Sequence, residues 1–351
     1  MSLNEVSKET SNEPACVHSD TFYFPNGDIV LSAPRGENAT TKEMFRVHMF
    51  MLAHHSPVFS DMFACSDADS SINDKYDGAP LVELSDNAQE LTELLRILYH
   101  PDTLLSLNKY PADVPILIRG PLRLASKYQI EPLRERLVEL FLHSWPKTLT
   151  EFDSAEKAFR EKAFHHQVHG DRQFRINDRF AEDSFPEPAS AIQLARELDI
   201  RGVLPAAFYS LARIPFDNDR ETRHKLYGPA IRTARWCMLD LEGHRQVIRG
   251  REKLMFWLLG EAMQSLQTAC RSVCRTTTCA PQLAEFIAAE ILDNEAILLD
   301  PLHLLGMLDN STGLERPDLE LCESCWKEVC QVAGPLRQAI WSELPEMFSL
   351  E

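Results

Sequence analysis

The chain is 351 residues long, more than one ordinary core, and predicts two domains of about 100–200 residues each. Apolar residues at 44% and charged residues at 25% exclude a wholly disordered chain. With 36 basic against 53 acidic residues the formal charge is −17, which repels phosphate backbones and anionic lipid unless a local patch reverses it.

The opening stretch, MSLNEVSKETSNEPACVHSD, has neither a basic start nor an apolar run, so no secretory signal or transit peptide is expected there. The longest apolar run, Leu254 to Gly260, falls far short of the roughly 20 residues a membrane helix needs. The expectation is an intracellular protein, cytoplasmic or nuclear, with no membrane partner. Nine cysteines in a large chain without an export signal predict reduced thiols rather than a disulfide framework. None of the 13 glycines forms a phosphate-cradling loop, which argues against nucleotide binding.

Residues 1–18 are polar and lack periodicity, as in a disordered lead-in. Phe22 and Phe24 alternate with polar neighbours, Pro25-Asn26-Gly27 has turn chemistry, and Asp28 to Leu31 restarts an apolar run, which together predict a β-hairpin. Ser32 to Glu43 reads as a polar loop, and Phe45, Val47 and Met49 then alternate through FRVHMFML as a half-buried strand should. Ser56 is suited to cap a helix and Pro57 to begin it, with Val58, Phe59, Met62 and Phe63 on one face. Ala64 to Pro80 is acidic and aperiodic, a mobile loop, followed by a short strand from Leu81 to Leu84. Asp86 with Gln89 resembles a capping box, and Leu91, Leu94, Leu95 and Leu98 form the stripe of an amphipathic helix that stops before Pro101. Two further helices fit Ile116 to Trp145, one through Leu122, Leu124 and Tyr128, the other through Leu133, Leu137, Leu140 and Phe141. This order predicts an α+β domain with helices gathered around a small sheet.

Four separated blocks in this order, GDIVL, FRVHMFMLAHHSPVFSDMF, the LVEL strand with its leucine helix, and GPLRLASKYQIEPLRERLVELF, resemble the BTB/POZ domain, in the form found in large fungal families of basidiomycete type. The resemblance covers about residues 20 to 146. It implies a non-catalytic unit that self-associates, pairs with another BTB protein or docks onto other proteins. Asp28, His48, Phe59, Phe63, Leu124 and Tyr128 fall on positions that recur in such domains, with structural roles inside the fold. Family members that recruit cullin ubiquitin ligases carry an apolar-x-Glu motif after the helix ending in Met62-Phe63; here Asp67 and Asp69 stand at those positions, which argues against cullin docking. Dimerising members add a helix before the first strand, and residues 1–18 show no apolar stripe for one.

Pro146 and the residues to Asp153 make a domain boundary, giving a lead-in at 1–18, the BTB/POZ domain at 19–146, a charged linker or helical segment at 147–186 and a helical C-terminal domain at 187–351. In the charged segment, His165, His166 and His169 have the spacing of a helix face able to meet a metal, without a further ligand at a decisive spacing. Residues 187–215 read as two helices split near Gly202 and Pro205 and also resemble a segment that follows the domain in the fungal proteins. Helical signals continue over Ile231 to Leu241, Leu254 to Leu266, Leu283 to Leu292, and Leu319 to Phe348 with breaks. Between Arg220 and Lys253 nine basic residues face four acidic ones; only if they gather on one exposed face would they favour nucleic acid, which is otherwise an unlikely partner.

Cys274-x4-Cys279 and Cys322-x-x-Cys325 form two pairs, and four thiolates can enclose a structural zinc. Paired cysteines also recur near the C-terminal end of the fungal proteins that this region resembles. Packed, reduced thiols are the competing reading, and Cys270 and Cys330 compete as pair members. No nucleophile-elbow, zincin or protease-type cysteine motif is present, so an enzyme is not expected. The functional expectation is a self-associating scaffold or adaptor, with a cullin-linked substrate adaptor and a transcription regulator assembled through its BTB domain as alternatives.

Overall fold

A computed structural model describes residues 15–36, 41–66, 75–107, 111–225, 228, 230–292 and 300–350. The described residues fall into two compact units, one within Met1–Asn108 and Leu117–Val138, the other within Lys109–Ile116 and Glu139–Glu351. The division passes through a helix rather than the Pro146 segment, and the first strand begins at Ala15, inside the stretch expected as a lead-in.

The first unit is built on five strands, β1 (Ala15–Tyr23), β2 (Ile29–Pro34), β3 (Thr41–Val47), β4 (Lys75–Tyr76) and β5 (Ala79–Glu83), in the order β1-β3-β2-β5-β4. β1 runs parallel to β3, β2 antiparallel to β3 and parallel to β5, and β4 antiparallel to β5. The hairpin expected between Phe22 and Leu31 is therefore absent: the turn closes, with the Gly27 amide on the Phe24 carbonyl at 3.0 Å, but β3 lies between the two strands it joins. The physical reason is burial. Ile29, Val30 and Leu31 are all inaccessible, so β2 needs a partner strand on each side, and β3 and β5 supply them. A hairpin does form from β4 to β5, where Asp77 and Gly78 both take positive φ (52° and 82°) within the stretch expected as a loop. The ends of the sheet meet through side chains: His18 stacks on Tyr23 and bonds the Tyr76 hydroxyl at 3.1 Å, over a small core of Val30, Met44 and Ala79.

The strand expected from Phe45 through Met49 stops at Val47, and α1 (Met49–His55) follows at once. Asp28 Oδ1 accepts the first helical amide, Met49 N, at 2.6 Å, which turns the backbone where alternation alone would have continued it. α2 (Pro57–Ser66) starts as expected, with Ser56 Oγ accepting the Phe59 amide at 3.1 Å and donating to the Tyr128 carbonyl at 2.6 Å. Asp67 and Asp69, which carry the argument on cullin docking, lie outside the described residues. α3 (Ala88–Tyr99) buries Leu91, Leu94 and Leu95, but its cap is Asn87, whose side chain accepts the Gln89 amide at 2.8 Å. Asp86 turns inward instead, to the Tyr128 hydroxyl and, at 2.6 Å, Lys127 Nζ. The short α4 (Thr103–Leu107), unsignalled by any period, precedes α5 (Val114–Lys127) and α6 (Glu131–His143).

The second unit is mostly helical. α7 (Leu149–His169), within the segment expected as a charged linker or helix, buries Phe152, Phe159 and Ala163. α8 (Pro188–Glu197) and α9 (Leu204–Ala212) divide near Gly202 as expected. The helix expected over Ile231 to Leu241 is absent apart from one short turn at Trp236–Met238. Buried carboxylates take its backbone donors: Glu182 accepts Thr233 N at 2.8 Å and Glu187 accepts Arg235 N at 3.0 Å, which removes those amides from a helical ladder. α10 (Leu241–Trp257) continues through a π-turn at Leu258–Ala262 into α11 (Met263–Val273), and α12 (Cys279–Leu292), α13 (Pro301–Met307) and α14 (Glu323–Met347) complete the unit. α14 runs unbroken past Pro335 and Pro345. Among the described residues no helix is long and apolar enough to cross a membrane.

Candidate functional site

The helical unit brings four cysteines together. Cys274 closes α11, Cys279 opens α12, and Cys322 and Cys325 sit at the cap and third position of α14, where a helix start places both side chains over the same end. Their sulfurs all lie within 4.8 Å of one another, although the two pairs are far apart in sequence. The Cys322 amide donates to Cys279 Sγ at 3.4 Å, and the Cys325 thiol donates to the Cys270 carbonyl at 3.5 Å. Thr276, in the link between the first pair, approaches Cys274 Sγ at 3.6 Å and Cys279 Sγ at 3.9 Å through its hydroxyl.

The electrostatics are uneven. Hydrogen bonding to Thr276 pulls the Cys274 thiol down to about 6. The backbone amide of Cys325 lowers the Cys322 thiol, as expected at a helix N-terminus, whereas burial pushes the Cys325 thiol up. The four thiols form a site that can hold a metal ion. Cys270 and Cys330 stay outside it: Cys270 is fully buried beneath Cys325, whose thiol its carbonyl accepts, and Cys330 is half-buried along α14. Among the described residues no second group of three or more such ligands converges. His166 of the histidine trio is buried against the Phe174 carbonyl at 2.9 Å, while the rings of His165 and His169 lie 4.6 Å apart, tilted by 48°.

The structural positions of the α+β unit make internal contacts. Asp28 holds the start of α1; His48 Nδ1 and its backbone amide both meet the Tyr99 hydroxyl at 3.0 Å. Phe59 stacks on Tyr128 at 4.3 Å between ring centroids, and Phe63 and Leu124 are buried. β1 forms an edge of the sheet, bonded to β3, and most of its side chains are exposed.

Arg220, Arg223, Arg232 and Arg235 do not gather on an open face. Arg220 and Arg223 meet Asp183, Arg232 meets Glu156 at 3.0 Å and Arg235 meets Asp113 and Glu187. Arg251 is bound to the carbonyls of Ala212 and Ile214 at 2.8 and 2.6 Å.

A buried charge cluster escaped sequence reasoning: Arg213, 3% exposed, bridges Glu156 at 2.8 Å and Asp300 at 2.7 Å, and Tyr209 donates to Asp300 at 2.6 Å. Its members are 57 and 87 residues from Arg213, and no local motif announces such partners. Glu156, Arg213 and Asp300 line a cavity of about 220 Å³ together with Arg160, Arg232 and His303, but its central charges are committed to one another.

No curated protein matches the chain. Residues 30–144 match the family model of the BTB/POZ domain, so the chain carries a BTB/POZ domain over those residues.

Proposed function

We propose that the chain acts by binding other proteins through its BTB/POZ domain, as a self-associating scaffold or as an adaptor. The observation that carries this reading is the domain itself, because BTB domains mediate protein binding and often self-association. The edge position of β1 among the described residues supports it, since strand addition at a sheet edge is a common mode of protein binding. The internal pairing of Arg220, Arg223, Arg232 and Arg235 weighs against a nucleic-acid role and thus against the transcription-regulator reading. Resemblance of the blocks at 187–215 and near the C-terminal end supports placing the chain with fungal BTB proteins. A metal at the four thiols would serve this function only by keeping the helical unit folded.

Sedimentation of the full chain over a wide concentration range, alongside affinity capture from native lysate, tests the proposal. A mass that rises with concentration selects the scaffold. A discrete co-purifying protein selects the adaptor, and a cullin in that fraction identifies the ligase-linked form. A chain that stays monomeric throughout and retains no protein overturns the reading.

A further inference from the structure

We infer that Cys274, Cys279, Cys322 and Cys325 form a closed, structural zinc site that ties the end of α11 to the starts of α12 and α14. Three observations carry the inference.

The first is convergence. Zinc–sulfur bonds of about 2.3 Å place the sulfurs of a regular tetrahedron roughly 3.8 Å apart. The four sulfurs already lie within 4.8 Å of one another, so a small contraction suffices for one ion and the space does not suit a multi-iron cluster.

The second is exposure. Packing as small hydrophobes accounts for Cys279 and Cys325, which are buried, but not for Cys322, which is exposed. A thiol at the surface has no packing reason to crowd two buried ones. Cys270, by contrast, is buried and fits the packing explanation, and neither it nor the half-buried Cys330 joins the group.

The third is the surrounding donors. Four thiolates around a dication leave two excess negative charges, which backbone amides at helix starts can offset. Cys279 and Cys322–Cys325 stand at the starts of α12 and α14, and the Cys322 amide already points at Cys279 Sγ at 3.4 Å. On loading, each thiol gives its proton to solvent and forms one sulfur–zinc bond; nothing is oxidised or reduced. All four protein ligands are sulfur, so no position remains for water or substrate, and the role is structural.

The test uses the full chain, reduced and purified without added metal. Elemental analysis should find about one zinc per chain. Cobalt(II) added to the stripped, reduced chain should produce the intense visible bands of a tetrahedral tetrathiolate complex. Cys322→Ser should weaken those bands and shift the sulfur-to-metal charge transfer, whereas Cys330→Ser should leave both unchanged. Overturning results are a folded wild-type chain with no zinc and no tetrahedral cobalt spectrum, iron in place of zinc, or equal losses in the Cys322 and Cys330 variants. The wild-type measurements decide the matter even where the Cys322 variant does not fold.

Discussion

Asp300 shows how a single buried residue sets a pH limit on the helical unit. Burial alone would raise its carboxyl, yet the Arg213 guanidinium at 2.7 Å outweighs that and holds it at about 2, below the ordinary 3.8. Because the folded value lies below the unfolded one, the carboxylate stabilises the fold above about pH 4 and that contribution disappears as pH falls towards 2. The size of the depression corresponds to roughly 2 kcal/mol. Asp300→Asn should therefore cost about 2–4 kcal/mol at neutral pH, since it leaves Arg213 with Glu156 alone. Unfolding curves from pH 7 down to pH 3 should show the gap between wild type and variant narrowing with acid. A gap independent of pH would mean that the ion pair is not what Asp300 supplies.

At the scale of elements, α10 and the end of α14 meet where a side chain has been dispensed with. A Cβ on Gly250 would run into the ring of Phe348, which is wholly buried and stacked on Phe208 at 5.6 Å. Helix propensity favours alanine over glycine by about 1 kcal/mol, whereas overpacking a fixed ring costs roughly 1–3 kcal/mol. Gly250→Ala should thus destabilise by up to about 2 kcal/mol in chemical denaturation. Gly260→Ala, with nothing near its Cβ position, should be neutral or slightly stabilising. Equal effects at the two glycines would show that backbone entropy, not contact with Phe348, governs both. The same scale explains the helix that does not form before Leu241. Its apolar residues have helical spacing, but the amides of Thr233 and Arg235 are bound to Glu182 and Glu187, about 50 residues earlier in the chain.

For the whole molecule, the formal charge of −17 and the internal pairing of Arg220, Arg223, Arg232 and Arg235 act together. The full chain should show no retardation of duplex DNA near physiological salt in an electrophoretic shift; tight, salt-dependent binding would mean that a positive face exists after all. The division into an α+β unit and a helical unit was legible because local patterns carried it: the leucine stripe at Leu91, Leu94 and Leu95, the Ser56-Pro57 helix start and the split near Gly202 are short-range signals. The Asp77-Gly78 turn is equally local, but it sits within an acidic, aperiodic stretch that reads as loop. Strand order was not legible, because β1 and β2 are adjacent in sequence and their separation by β3 follows from burial of β2 between two neighbours. The cysteine spacing named the four candidates, yet spacing could not separate them from Cys270 and Cys330; only the meeting of two helix starts with the end of α11 did so. The sequence by itself determined which segments prefer helix or strand and which residue types can bind metal, since those are properties of neighbours along the chain. Tertiary structure alone decided the sheet order, the Arg213 cluster and the membership of the thiol group, because each depends on partners that the chain brings together only by folding.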